Sequence, residues 1–119
     1  MSQFRIDLSE SGFRRDHKRA LRKYPSIKND LKELFTVLES GPDGDPIPEF
    51  GNSVWKVRMA VKGHLGKSDG YRVIYHVDGT RRVMTPLFLY AKSSRVDIGK
   101  KQIERAAKAL LTSLRSRHK

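Results

Sequence analysis

Two stretches of this 119-residue chain alternate strictly, and they leave little freedom in what it can fold into. From Val54 to Val61, Trp55, Val57, Met59 and Val61 fall on one side and Val54, Lys56, Arg58 and Ala60 on the other. From Tyr71 to Val77, Tyr71, Val73, Tyr75 and Val77 stand opposite Arg72, Ile74 and His76. A period of two is that of a pleated strand, so each stretch has an apolar face that another layer must cover. Asp78-Gly79 predicts a type I′ hairpin into a strand from about Arg81 to Tyr90, and Pro86 inside it predicts a bulge, a break or an edge. Phe4, Ile6 and Leu8 alternate with Arg5 and Asp7 as a further short strand.

The covering layer is legible as helices. Phe13, His17, Ala20, Leu21 and Tyr24 recur at helical spacing until Pro25 stops them. Ser26 is placed to cap a second helix with Ile27, Leu31, Leu34, Phe35 and Leu38 on one face, ended by Gly41 and Pro42. Two amphipathic helices with almost no connector form an αα-hairpin. Residues 41 to 52 hold three prolines and three glycines and read as a loop. Ile103, Ala107, Leu110 and Leu114 mark a C-terminal helix, with Asp97 as a candidate cap. The expected fold class is α+β over a single domain, residues 1–119. It comprises a small, mostly antiparallel sheet of about four strands packed against the N-terminal αα-hairpin, plus the C-terminal helix.

With 37% apolar residues, the chain has enough to build a core without metal or disulfide help, and the absence of cysteine excludes thiolate zinc sites and thiol nucleophiles. No apolar run approaches the roughly 18 residues of a membrane span and no signal peptide is visible, so a soluble cytoplasmic protein is expected. The net charge of +12 points to a polyanionic partner.

That charge is segregated. Residues 13 to 32 carry eight basic side chains against Asp16 and Asp30, whereas residues 33 to 54 have no Lys or Arg and five acids: Glu33, Glu39, Asp43, Asp45 and Glu49. Residues 55 to 82 and 100 to 119 are again strongly basic, with seven cations each. The acidic belt reads as a solvated, charge-balancing segment facing away from any nucleic acid.

Alternation puts Lys56 and Arg58 on one side of their strand and Arg72 and His76 on one side of the next. If the apolar faces meet the helices, these four converge on an open, cationic sheet face suited to a phosphodiester chain. Cleaving RNA needs deprotonation of a 2′-OH, stabilisation of added charge on five-coordinate phosphorus, and a proton for the 5′-oxygen. Clustered Lys and Arg supply the second directly. Basic residues on strands also serve as plain edge protection, and for Lys62, Lys67 and the cations of the first helix that reading, or simple RNA attraction, outweighs chemistry. Gly66-Lys67-Ser68 is not the end of a P-loop, because Val61 occupies the position of the required glycine and a strand follows.

Several motifs in combination resemble the RelE/ParE superfamily of toxins from bacterial type II toxin-antitoxin systems, especially the RelE- and HigB-like branch. They are Pro48-Glu49-Phe50-Gly51, Val54-Trp55-Lys56-Val57-Arg58, the run from Gly66 through Gly70-Tyr71-Arg72-Val73-Ile74-Tyr75, and Leu89-Tyr90-Ala91-Lys92-Ser93. The resemblance implies a toxin that enters the ribosomal A site and cuts mRNA by metal-free 2′-OH attack, as an endoribonuclease (mRNA interferase) that needs no cofactor. By position it implies Lys56, Arg58, Arg72 and Lys92 as catalytic residues; strand alternation keeps His76 as a further candidate, and Lys62, Lys67 and Arg95 are expected RNA contacts. The implied partners are the ribosome, mRNA and a cognate antitoxin with a helix-turn-helix, through which alone operator DNA is reached. The family's frequent C-terminal tyrosine has no counterpart after Tyr90, which leaves Lys92, Lys56 and His76 as candidate general bases. Two other readings are a ParE-like gyrase inhibitor and a non-catalytic nucleic-acid-binding module.

Overall fold

The computed structural model describes residues 3–61, 70–92 and 98–117, the last four of these by backbone alone. Its elements are β1 (Arg5–Ile6), α1 (Ser11–Lys23), α2 (Ile27–Leu38), β2 (Asp45–Pro46), β3 (Val54–Met59), β4 (Tyr71–Asp78), β5 (Val83–Ala91) and α3 (Lys100–Arg117). The strands form one sheet in the order β1-β5-β4-β3-β2, antiparallel except where β1 runs parallel to β5. The class is α+β, as the patterning requires.

Alternation decides which residues enter the main core. Val57, Met59, Val61, Tyr71, Val73 and Tyr75 point to the face covered by the αα-hairpin, where they meet Phe13, Ala20, Ile27, Leu31, Leu34 and Leu38. Trp55 and Val77 join from the rim. The N-terminal strand is shorter than expected: Phe4 is buried, but Leu8 is 40% exposed and lies beyond the pairing with β5.

The proline in β5 produces a bulge. Ile74 pairs with Phe88 and Tyr75 with Pro86, so Leu87 is the extra residue. Because β1 pairs only with Val83 and Met84, the rest of that edge of β5 is covered by α1. There the Asp16 carboxylate accepts the Leu89 N–H at 3.0 Å. Burial pushes the Asp16 carboxyl up, against the pull of that bond and of Arg19 and Arg15.

Three local expectations change. The β4–β5 turn is not a two-residue type I′ turn: Asp78 pairs with Val83 and closes a four-residue loop ending in Arg82 at φ 59°. The Asp78 side chain causes this, accepting the Arg81 N–H at 3.0 Å and Nη1 at 3.2 Å and so holding the turn open beyond Gly79. Arg82 in turn lies over the Phe4 ring, 4.7 Å from its centroid. Ser26 caps α2 through its carbonyl, which accepts from Asn29 and Asp30, and not through its hydroxyl. Gly99 occupies the capping position of α3, its N–H held by the Gln102 side chain in capping-box fashion, while Asp97 lies outside the described residues.

The proline- and glycine-rich loop contains β2, whose Asp45 and Pro46 pair with Lys56 and Trp55. Tyr75 pins this segment from below: its buried hydroxyl donates to the Asp43 carbonyl at 2.5 Å and accepts the Asp43 N–H at 2.8 Å. Burial foremost pushes the phenol up to about 12. Gly44 lets the loop approach, with φ +92° and room for no side chain; a Cβ there would stand 2.2 Å from the Lys56 carbonyl oxygen. Gly44→Ala is therefore expected to destabilise the protein by at least about 2 kcal/mol, measured by urea unfolding.

Candidate functional site

The second face of the sheet carries the basic side chains, and the strand register arranges them in rows. Arg58 of β3, Arg72 of β4 and Tyr90 of β5 lie side by side across three strands. The next row in one direction is Lys56, Ile74 and Phe88. In the other direction β5 ends at Ala91, and Lys92 follows it in a turn, its N–H bonding the Gly70 carbonyl at 3.1 Å. Residues two apart on a strand are separated by about 7 Å, and directly opposed Cβ atoms by about 5 Å. Lys56 thus stands beside the Arg58–Arg72 pair on the same face, and the backbone of Lys92 follows the strand ends on the other side of the pair.

That pair is electrostatically unusual. Like charges directly opposed on neighbouring strands are destabilising, and one of these is largely withdrawn from water: Arg72 is 8% exposed. Its Nη1 reaches the Tyr71 carbonyl at 3.4 Å. Arg58 and Lys92 are exposed, and Lys56 stands directly opposite Asp45 of β2. Lys62, Lys67 and Arg95 lie outside the described residues.

The expectation of an open face is only half met. Ile103 of α3 packs on Val54 and Ile74, and Ile47, Phe50, Phe88, Tyr90 and Ile98 gather around them. Among the described residues α3 therefore roofs the Val54–Ile74 end of the face; at the other end Arg58 is exposed and Arg72 buried. The roof is tied down by an ion pair from Lys100 to Glu49, a residue held at φ 81°. Between sheet, roof and β2 lies a cavity of about 300 Å³, lined in part by Lys56, Tyr90 and Lys100. Sequence reasoning missed this cavity, because nothing local shows where a terminal helix will dock. It also placed the acidic belt away from the site, whereas Asp45 lines the cavity and Glu49 pairs at its rim.

His76 sits at the roofed end, in the row of Val54 and Thr85 and four residues along β4 from Arg72. It is 8% exposed, and burial lowers its pKa from the ordinary 6.5 despite the opposing pull of Asp78. The register therefore brings together Lys56, Arg58 and Arg72, with Lys92 just past the end of β5, and leaves His76 roughly 13 Å from Arg72 along the strand. His17, on α1, also has a lowered pKa through burial, and its Nε2 has no hydrogen-bond partner among the described residues.

Neither a protein-family model nor a curated protein matches this chain. Among the described residues no helix is long and apolar enough to cross a membrane.

The two histidines give a pH dependence of definite sign. Their folded pKa values lie below the unfolded value of 6.5, so the unfolded chain binds more protons as acid is added. Stability is present above about pH 6.5 and is lost as pH falls towards the folded pKa values. Urea midpoints should decline from about pH 7.5 to pH 5.5, and His76→Gln should decline less steeply. An identical slope in the variant would show that His76 is not desolvated in the fold.

Proposed function

We propose that this protein is the toxin component of a type II toxin-antitoxin system and acts as a ribosome-dependent mRNA endonuclease. The observation that supports this best is the cross-strand pair of Arg58 and Arg72, one of them buried, with Lys56 on the same sheet face and Lys92 just past the end of β5. A like-charge cross-strand pair with one member buried does not favour folding and is suited to an anion that gains charge during reaction. A phosphodiester attacked by its own 2′-oxygen is such an anion.

In the proposed reaction the RNA backbone crosses the Arg58–Arg72–Tyr90 row. A base removes the 2′-OH proton, the 2′-oxygen bonds to phosphorus, and the P–O5′ bond breaks as the 5′-oxygen takes a proton. The products are a 2′,3′-cyclic phosphate and a 5′-hydroxyl. Arg72, the more rigidly held cation, stabilises the five-coordinate phosphorus with Arg58. Lys56 and Lys92, one on each side of the row, are placed for the two proton transfers. His76, under the roof, is poorly placed for either, so the choice of base narrows to the two lysines. The proposed partners are the ribosome, mRNA and a DNA-binding antitoxin, and the proposed setting is the cytoplasm.

The tests are primer extension on an mRNA translated during induction and cleavage on programmed ribosomes. Arg72→Ala should lower the cleavage rate by roughly 100-fold or more, the scale of removing one oxyanion donor, while its urea midpoint stays close to wild type. Cleavage by that variant at the wild-type rate would sink the proposal. Gyrase-linked DNA breaks in place of mRNA cuts would point to the ParE-like alternative.

A further inference from the structure

The cavity beside the cationic row has a chemistry of its own. Its walls include Ile47 from the loop, Ile74 from the sheet, and Ile98 and Ile103 from the roof. At about 300 Å³ it lies at the lower end of small-ligand pockets, the size of one nucleobase and not of several. Tyr90 belongs to both places: it is the third member of the Arg58–Arg72 row and it lines the cavity. A ligand with its phosphate on the row would thus carry its next group past an aromatic ring into an apolar slot.

Among the described residues the charged groups at the slot are two ammonium groups, Lys56 and Lys100, and one carboxylate, Asp45, beside the Tyr90 hydroxyl. Asp45 stands opposite Lys56 on the paired strand, and its position is fixed by the Tyr75 clamp on Asp43 and the close approach at Gly44. A carboxylate can only accept hydrogen bonds in this setting. It favours base edges carrying an amino group, as adenine, cytosine and guanine do. Uracil offers one N–H flanked by two carbonyl oxygens, which a carboxylate repels.

We propose that this cavity is a nucleobase-binding pocket for the nucleotide adjoining the scissile phosphate, with Asp45 selecting amino-bearing bases over uracil. Tyr90 stacks on the base and the isoleucines enclose it. The pocket deepens the reading of this face as an RNA-cleaving site and rests on it.

Binding to the full-length protein tests the pocket apart from cleavage. AMP, CMP, GMP, UMP and inorganic phosphate are titrated separately, read by calorimetry and by the methyl NMR signals of Ile47, Ile74, Ile98 and Ile103. The three amino-bearing nucleotides should bind roughly tenfold more tightly than UMP and shift those methyls, the discrimination expected of one good base contact. Phosphate alone should leave the methyls unmoved. Asp45→Ala, a change at an exposed residue, should bring all four nucleotides to within about twofold of one another. UMP binding as tightly as the others, a preference that survives in Asp45→Ala, or nucleotides that behave like inorganic phosphate would each overturn the pocket. The cleavage assay on ribosomes stands or falls separately, since it reads Arg72 and not the base edge.

Discussion

Burial of β4 on both faces is the constraint to which the rest of the molecule answers. Tyr71 through His76 are all buried, and a strand buried on both sides needs a neighbour at each edge and a layer above and below. β3 and β5 satisfy the edges, the αα-hairpin supplies one layer, and the loop around Phe50 together with α3 supplies part of the other. Where that second layer stops, Arg72 takes the place of an apolar residue. Arg72 is thus a cation set into a strand that is buried on both faces, and this gives a charged group rigid support that a surface loop would not.

Local alternation made much of this readable. It assigned Val57, Met59, Val73 and Tyr75 to the core and Lys56, Arg58 and Arg72 to the opposite face, because side-chain direction on a strand depends only on parity. Pro86 signalled its bulge for the same local reason: it has no N–H to give a ladder. What escaped sequence reading depends on groups far apart in the chain. Tyr75 holding Asp43, Asp16 bonding Leu89, and Ile103 settling on Val54 and Ile74 each join residues whose local patterns carry no sign of one another. His76 shows the difference well. Parity put it on the correct face and spacing already set it four residues from Arg72, but only the fold decided that it would be buried.

Charge segregation along the chain also takes on a spatial meaning. The belt without Lys or Arg folds in part against the basic strands, so Asp45 meets Lys56 and Glu49 meets Lys100. These contacts involve exposed groups and add little to stability. Their effect is on the local field: they moderate the positive potential at the roofed end. Arg58 has acidic neighbours of its own, lining a pocket with Asp30 and Glu33 of α2.

The same arrangement separates two tasks that basic surfaces often merge. Attraction over long range needs many cations and little geometry, and the exposed residues of α1 and α3 provide them on elements whose helical surface is otherwise unremarkable. Holding one phosphate in one orientation needs few cations and fixed positions. In the proposed function Arg72 would meet that need, because strand pairing on both sides fixes its backbone and burial restricts its side chain. Substitutions among helix cations would weaken encounter in proportion to the charge removed, whereas a change at Arg72 would act on the bound state alone. The division follows from where the sheet is sealed, and not from the number of basic residues the chain carries.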